Sequence, residues 1–231
     1  MSNSRLEVSG ARPELILFDA GGTLVLINPD RFNVFISGWD LPAVTTDRLF
    51  KAHYQAMSNF SHHLTDGEAI DFQWWVEHFF GLAGLPPRPD MVRAFRGGPG
   101  MWNHPIPGAR QTVADLRARG YRVAVVSNSD GTVADALDAA GFGGLFELVI
   151  DSTNVGISKP DPDIFRVALD ALDVAAGNAW YVGDSLYHDI GGARAAGLAA
   201  AVLVDPLALG QPDQPTVRSI AELPDLIEAT E

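Results

Sequence analysis

The sequence contains no cysteine, and only two of its residues, Lys51 and Lys159, are lysines. Without cysteine the chain cannot form disulfides, use a thiolate nucleophile or bind zinc through sulfur. Positive charge is also scarce, because 16 Lys and Arg residues stand against 29 Asp and Glu residues, which gives a net charge of -13. We therefore expect no nucleic-acid partner, since the sequence has no basic stripe to displace counterions from a phosphate backbone.

Long apolar runs are missing as well. No stretch approaches the roughly 18 consecutive apolar residues of a membrane span, and the polar residues 1–13 lack the apolar core of a signal peptide. We expect a soluble, cytoplasmic protein with no membrane partner, either a monomer or a homodimer. With 231 residues, 47% of them hydrophobic, the chain can bury one large core, or a core plus a small inserted domain.

The sequence LILFDAGGTL at residues 15–24 organises the rest of the chain. Four apolar residues lead directly into Asp19 and two glycines, the pattern of a strand that is buried on both faces and ends in a tight turn. In open parallel α/β sheets, ligands bind at the carboxyl ends of the strands. Asp19 therefore either closes this turn or faces a ligand crevice, and residues elsewhere in the chain must decide between the two.

Residues 30–103 carry amphipathic helical patterns and no convincing buried strand. Helices are predicted at residues 47–60, 67–82 and about 90–96. Glycine and proline at residues 97–100 then interrupt the pattern. The segment predicts a small helical domain inserted after the first strand, whose many aromatic residues either fill its own core or overhang a pocket.

Strands and helices alternate after residue 105. Strands are predicted at residues 121–126, 146–150, 179–182 and 199–204, with helices at 109–119, 132–140, 161–172 and 189–196. Such alternation predicts a Rossmann-like α/β fold, in which a parallel sheet has right-handed crossovers and helices on both faces. We assign residues 1–27 and 104–231 to this core domain, and residues 28–103 to an inserted α-helical cap domain.

Polar residues follow the predicted strands or begin the helices that come after them. Parallel strands end at the same edge of a sheet, so these side chains are expected to meet in one crevice. The candidate residues are Asp19, Ser127, Lys159, Asp184 and Asp189. Each also has a purely structural interpretation, because Ser127 and Asn128 are typical of a helix-capping turn and Asp189 of a favourable charge at a helix N-terminus.

Several carboxylates in one pocket repel one another, and they usually persist there because a cation holds them. Oxygen ligands from a few side chains suit Mg²⁺. Lys159, with the hydroxyl and backbone N–H groups after the second core strand, would face the oxygens of a phosphate. The constellation therefore predicts Mg²⁺ plus a phosphoryl group, with Asp19 free to act as a nucleophile that forms an aspartyl-phosphate.

Four segments resemble, in order, the four motifs of the haloacid dehalogenase (HAD) superfamily. They are residues 18–24 (FDAGGTL), 126–128 (VSN), 159–165 (KPDPDIF) and 183–185 (GDS) together with Asp189. The helical insert resembles the four-helix cap of the branch that contains phosphoglycolate-phosphatase-like and dehalogenase-like proteins. The resemblance extends over residues 15–204 and implies a hydrolase.

The resemblance also implies a role for each matching residue. Asp19 becomes the nucleophile, Ser127 and Lys159 bind phosphate, and Lys159 assists catalysis. Thr23 and Asn128, which belong to the first and second motifs, are further candidate phosphate binders. Mg²⁺ would be held by the Asp19 carboxylate, the Gly21 carbonyl and Asp184, with Asp189 as a direct ligand or as a support of the metal and of Lys159.

Gly21 is the main departure from the superfamily pattern. Phosphatases of the superfamily carry a second aspartate at this position, which protonates the leaving alcohol. A glycine keeps the backbone carbonyl as a metal ligand but removes the proton donor. For a substrate with a poor leaving group, this loss lowers the rate of hydrolysis by about 10²–10⁴-fold.

Three functions stay open from the sequence. The first is a phosphatase for a small phosphorylated metabolite, with a good leaving group or a proton from a cap histidine; His53, His62, His63 and His78 are the candidates, unless they are surface or core residues. The second is cleavage of a carbon–halogen bond, or of a carbon–phosphorus bond with Lys51 as a Schiff base. The third is a weakly active module that binds a phosphorylated ligand.

Substrate choice is expected to depend on five residues of the helical segment. They are Trp74, Trp75, Arg93, Arg96 and Trp102.

Overall fold

A six-stranded parallel sheet forms the centre of the computed structural model, which describes residues 12–69, 71–95, 100–210 and 213–230. The strands of these residues are β1 (Leu15–Phe18), β2 (Val25–Ile27), β3 (Trp102–Pro105), β4 (Arg122–Ser127), β5 (Val149–Asp151), β6 (Ala179–Gly183), β7 (Ala200–Val204) and β8 (Thr216–Val217). The order in the sheet is β5-β4-β1-β6-β7-β8, and β2 pairs with β3 in a separate antiparallel ribbon.

Helices connect and cover these strands. They are α1 (Pro29–Ser37), α2 (Thr46–Thr65), α3 (Phe72–Leu82), α4 (Pro89–Ala94), α5 (Ala109–Ala118), α6 (Val133–Ala139), α7 (Ser152–Val155), α8 (Asp163–Leu172), α9 (Gly192–Ala195) and α10 (Leu223–Glu228). A π-helical turn, Leu186–Gly191, leads into α9. Among the described residues, no helix is both long enough and apolar enough to cross a bilayer.

Strand β1 lies between β4 and β6, and all four of its side chains are fully buried. A strand with neighbours on both sides and helices on both faces must be apolar throughout, which explains the uninterrupted LILF sequence. Phe18 pairs with Val125 of β4 and with Val182 of β6. This register brings the carboxyl ends of the three strands to one edge of the sheet.

Alternate residues of the strands supply two cores, one on each face of the sheet. Ile16 and Phe18 pack on the face that α5, α6 and α10 cover, whereas Leu15 and Leu17 pack on the face that α8 and α9 cover. The predicted Rossmann-like sheet with helices on both faces is therefore present.

The helical segment between β2 and β3 packs around a third cluster, which is rich in aromatic residues. Phe32 of α1 is fully buried in it and lies 5.6 Å from the ring of Phe79 and 6.0 Å from that of Phe95. Asn28 caps α1 by accepting hydrogen bonds from two backbone N–H groups, and Asp71 caps α3 in the same way with one. Most of the aromatic residues of this segment thus fill its own core.

The observed elements differ from the sequence predictions in the helical segment and in the C-terminal part of the core. Helix α3 begins at Phe72 rather than at residue 67, because Gly67 adopts a φ of +83° after α2 and Asp71 provides the cap. Five features were not predicted: helices α1, α7 and α10, the β2–β3 ribbon and strand β8. The predicted helix end at residue 96 and the break at residues 97–99 lie outside the described residues.

Truncation of Phe32 tests whether the third cluster stabilises the protein. We expect Phe32→Ala to lower the free energy of unfolding by about 3–5 kcal/mol, because a fully buried aromatic ring leaves a cavity. Urea denaturation followed by circular dichroism measures the change. Val34→Ala on the same helix is the control, since Val34 is 74% exposed and its truncation should change stability by less than about 0.5 kcal/mol. A loss below about 1 kcal/mol for Phe32→Ala would contradict the packing described here.

Candidate active site

The carboxyl ends of β1, β4 and β6 form the floor of a cavity of about 870 Å³. Asp19 follows β1, Ser127 ends β4, and Asp184 follows β6. The Ser127 hydroxyl donates a hydrogen bond to Oδ1 of Asp19 at 2.9 Å. The sequence predicted that five side chains would meet here, and all five line this cavity: Asp19, Ser127, Lys159, Asp184 and Asp189.

Lys159 connects the groups of the floor. Its buried ammonium donates to Oδ1 of Asp19 at 2.7 Å, to Oδ1 of Asp189 at 2.7 Å and to the hydroxyl of Tyr181 at 2.9 Å. These contacts use all three donors of the ammonium. Burial lowers the pKa of Lys159, but the charges of Asp189 and Asp19 outweigh that effect and raise it above its usual value. The amine therefore stays charged.

Two glycines make room for the carboxylates. A Cβ at Gly22, whose φ is +78°, would lie 1.9 Å from Oδ2 of Asp184, and a Cβ at Gly183 would lie 2.4 Å from the Asp189 carboxyl carbon. No other residue type fits at these positions without displacing a carboxylate. The second of the two glycines that follow Asp19 is therefore required by this close approach as well as by the turn.

The pKa values of two carboxyl groups, Asp19 and Asp184, are raised because burial disfavours their ionised forms. Burial, opposed by Lys159 and reinforced by Asp189 and Asp184, raises the pKa of Asp19 to about 7. Burial also raises the pKa of Asp184, although the hydrogen bond from His53 opposes this effect. The cause is the removal of like charges from water into one small volume.

Asp19, Asp184 and Asp189 each offer an oxygen, and these three atoms lie within 4.8 Å of one another. Oxygen donors suit a hard divalent cation. Three ionised carboxylates with one ammonium leave a charge of -2, which a divalent cation would balance. The acidic triad is thus fit to hold a metal ion.

The space beside Gly21 is occupied by an aromatic ring. A Cβ at Gly21 would lie 3.6 Å from the indole of Trp102. Trp102 begins β3 and also lies against His53, with ring centroids 5.7 Å apart. The side of the site where a second carboxylate would stand is therefore apolar.

Asn128 and Thr23 are placed differently from the other candidate phosphate binders. The Asn128 amide donates to the Lys159 carbonyl at 3.0 Å and accepts from the Lys159 N–H at 2.8 Å, so it fastens the backbone that carries the lysine. Thr23 is fully buried, is not among the side chains that line the cavity, and has a hydroxyl without a partner among the described residues. Phosphate binding by Thr23 stays a prediction.

Of the four candidate histidines, His53 is the one that lines the cavity in the described part of the chain. His62 and His78 are exposed, and His63 pairs with Glu68 at 2.9 Å. Lys51 points into solvent, where it pairs with Asp47 and its side chain is 60% exposed. Lys51 is therefore not placed to form a Schiff base with a ligand in the cavity.

Three of the five candidate specificity residues line the cavity, namely Trp75, Arg93 and Trp102. Trp74 instead stacks on His78, with ring centroids 4.0 Å apart. Arg96 lies outside the described residues. The helical segment forms the wall of the cavity opposite the floor. Its further apolar side chains in this wall are Met57, Phe60, Leu64, Phe72, Val76, Val92 and Phe95.

Sequence reasoning missed several residues that hold the site together. Tyr181 is a strand residue whose hydroxyl accepts from Lys159 and donates to the Val126 carbonyl at 2.8 Å. Asp151 ends β5 and accepts from the N–H of Gly131 at 3.0 Å, which fixes the loop after β4. A tyrosine within a predicted buried strand, where its hydroxyl needs a partner, was the available signal.

Residues 13–197 match the haloacid dehalogenase-like hydrolase family, and the chain belongs to this family. It is 36% identical over 165 residues to haloacid dehalogenase-like hydrolase domain-containing protein 3 of Mus musculus. That alignment covers 67% of this chain and 65% of the mouse protein, slightly less than two thirds of the latter.

The chain is also similar in sequence to a phosphatase and in fold to a hydrolase of known structure. The chain is 32% identical over 146 residues to glyceraldehyde 3-phosphate phosphatase of Pyrococcus abyssi, with 61% of this chain and 56% of that protein covered. The structure of the putative HAD-hydrolase YfnB from Bacillus subtilis bound to magnesium superposes with a TM-score of 0.69 at 19% identity, covering 94% and 99% of the two chains. At this identity the second similarity establishes the fold alone.

The raised pKa of Asp19 predicts how the stability of the metal-free protein depends on pH. The folded state binds the Asp19 proton more tightly than the unfolded state, whose pKa is near 3.8. The tighter proton binding adds to the free energy of unfolding. This stabilisation is fully present below pH 3.8 and is lost as the pH rises through about 7.

The difference in unfolding free energy between wild type and Asp19→Asn, measured in chelator across this range, isolates the effect. Because asparagine mimics the protonated acid, we expect wild type to lose stability relative to the variant as the pH rises. A difference independent of pH would contradict the raised pKa.

Proposed function

We propose that this protein is a Mg²⁺-dependent phosphohydrolase for a small phosphorylated metabolite and that it acts through an aspartyl-phosphate on Asp19. The observation that carries the proposal is the contact of Ser127 and Lys159 with the same oxygen of Asp19, at 2.9 and 2.7 Å, on the floor of the cavity. A nucleophile and two donors for a phosphoryl oxygen thus meet at one point.

In the proposed reaction a carboxylate oxygen of Asp19 attacks phosphorus, and the bond from phosphorus to the leaving oxygen breaks with its electron pair on that oxygen. Water then attacks the phosphorus of the aspartyl-phosphate, and the bond from phosphorus to the Asp19 oxygen breaks with its electron pair on that oxygen. Inorganic phosphate leaves with one proton of the water, the other passes through solvent to the leaving-group oxygen, and the Asp19 carboxylate is restored. Ser127 and Lys159 turn from Asp19 to the phosphoryl oxygens and stabilise their charge.

Asp19, Asp184, the Gly21 carbonyl and Asp189 would hold the Mg²⁺, as the acidic triad favours, together with the net charge of -2 that remains after the Lys159 ammonium is counted. A bound Mg²⁺ supplies positive charge that lets phosphate approach carboxylates and neutralises charge in the transition state. The ion would also lower the pKa of Asp19 from its raised value, so the nucleophile would be ionised at neutral pH.

Gly21 and Trp102 restrict which leaving groups can depart from the substrate. Neither supplies a proton donor, so we propose that preferred substrates release a weakly basic oxygen, as aryl and acyl phosphates do. The apolar wall of the cavity is compatible with such groups. The proposal includes the division into a core, residues 1–27 and 104–231, and a cap, residues 28–103, because the helical segment has its own apolar cluster beside the cavity.

A second candidate is a module that binds a phosphorylated ligand with little turnover. The indole of Trp102 against Gly21 favours it, since ordinary alkyl phosphates would find no proton donor at this position. Carbon–phosphorus cleavage is not favoured because Lys51 lies outside the cavity, and dehalogenation is not favoured because it needs no metal whereas this site gathers three carboxylates.

Substitution of the nucleophile tests the main proposal. With Mg²⁺ present, we expect wild type to hydrolyse aryl or acyl phosphates and Asp19→Asn to lose about 10³-fold or more of that activity, because the amide cannot form the intermediate. A screen of phosphorylated compounds with a phosphate-release assay measures this. Calorimetry on the same compounds separates the second candidate, which would bind without releasing phosphate. Unchanged activity in Asp19→Asn would remove Asp19 from the mechanism.

Restoring a carboxylate at position 21 tests the argument about the leaving group. We expect Gly21→Asp to raise hydrolysis of alkyl phosphates by about 10²-fold and to change that of aryl phosphates little. The new Cβ would make only ordinary contact with Trp102. Gly21→Asn is the matched control, since it has the same size and cannot act as an acid. Equal rates for the two variants would show that the proton comes from elsewhere or is not needed.

A further inference from the structure

Helix α2 makes three polar contacts with the floor of the site, and all three fall on the turns that carry the candidate metal ligands. His53 Nε2 lies 2.7 Å from Oδ2 of Asp184, and the Tyr54 hydroxyl donates to the Gly22 carbonyl at 2.7 Å. The hydroxyls of Ser61 and Ser185 lie 3.0 Å apart. Gly22 follows Gly21, and Ser185 follows Asp184, so α2 bridges the turn after β1 and the turn after β6.

His53 and Asp184 are both buried where they meet, with side-chain exposures of 2% and 1%. A hydrogen bond to a charged group is stronger when water is excluded. Both side chains lie directly against Gly22. A Cβ added at Gly22 would lie 2.4 Å from His53 Nε2 and 1.9 Å from Oδ2 of Asp184. The backbone at this turn is therefore shaped around the imidazole and the carboxylate together.

When Asp184 is ionised, as a metal ligand must be, it only accepts hydrogen bonds, so we assign the donor proton to Nε2 of the imidazole. Nδ1 has no partner among the described residues. The rings of Tyr54, Trp75 and Trp102 surround the imidazole at centroid distances of 5.0, 5.7 and 5.7 Å, which fixes its orientation. His53 is thus a rigid donor aimed at one oxygen of one carboxylate.

We propose that His53 is a positioning residue of the metal site: its Nε2–H holds Oδ2 of Asp184 and leaves the other oxygen for the cation. Groups that orient a metal ligand in this way commonly contribute 10–100-fold to metal affinity. Because His53 belongs to α2, cation binding and docking of the helical segment are coupled. Coupling of this kind is reciprocal, so the cation must favour docking by the factor by which docking favours the cation.

The inference rests on the metal site of the proposed function, and the experiment separates the two. Isothermal titration calorimetry with MgCl₂ measures affinity in wild type, His53→Gln and His53→Leu. Glutamine keeps an N–H donor near the position of Nε2, whereas leucine fills similar space without a donor. We expect the dissociation constant to rise about 10-fold or more in His53→Leu and to stay within about 3-fold of wild type in His53→Gln. His62→Ala, an exposed site on the same helix, is the matched control.

Hydrogen exchange gives a second readout that needs no substrate. We expect Mg²⁺ to slow exchange of α2 amides in wild type and His53→Gln, and to slow it much less in His53→Leu. Circular dichroism and the unfolding midpoint in chelator establish that each variant is folded. Equal Mg²⁺ affinity in His53→Leu and wild type, or tighter binding by His53→Leu, overturns the inference and leaves the proposed function standing. Failure of wild type to bind Mg²⁺ overturns both.

Discussion

The burial of three carboxylates around a single ammonium is the constraint on which the rest of this structure depends. Lys159 compensates only part of the charge of Asp19 and Asp189, and Asp184 adds a third carboxylate within 4.8 Å. Isolated buried charges are so unfavourable that each must have a partner. Gly22 and Gly183 leave space for the carboxylates. Hydrogen bonds supply the remaining partners: the Tyr181 hydroxyl accepts from Lys159, the Asn128 side chain accepts from the Lys159 backbone N–H, and His53 donates to Asp184.

The parallel sheet holds these groups together at little conformational cost. Strand β1 lies between β4 and β6, so the three segments that follow these strands begin side by side at one edge of the sheet. Ligands bind at the carboxyl ends of such strands for this reason. The inserted helical segment then covers the site with an apolar wall, and it touches the charged floor through the polar contacts of α2. The buried charges of the cavity are therefore on its floor, and most of the side chains of its wall are apolar.

Gly21 and its surroundings are the part of the site on which our proposal for the leaving group depends. The chain belongs to the haloacid dehalogenase-like hydrolase family over residues 13–197. Around Gly21, however, the structure presents the indole of Trp102, and two nearby polar side chains of α2, His53 and Tyr54, are directed at Asp184 and at the Gly22 carbonyl. The chemistry of the leaving group is therefore the property in which we expect this protein to differ most from phosphatases that carry a second aspartate.

The sequence by itself determined the parallel α/β core and the five side chains that meet on its floor, because buried strands, their terminal polar residues and the rule of parallel strand ends are all local patterns. It also predicted helices α2, α3 and α4 between β2 and β3. Only the tertiary structure decided which residues of this helical segment reach the site. His53 and Lys51 lie two positions apart on one helix, yet the first contacts Asp184 and the second faces solvent. Helical periodicity gives the angle between such residues, but which face covers the cavity depends on how the whole segment packs against the sheet.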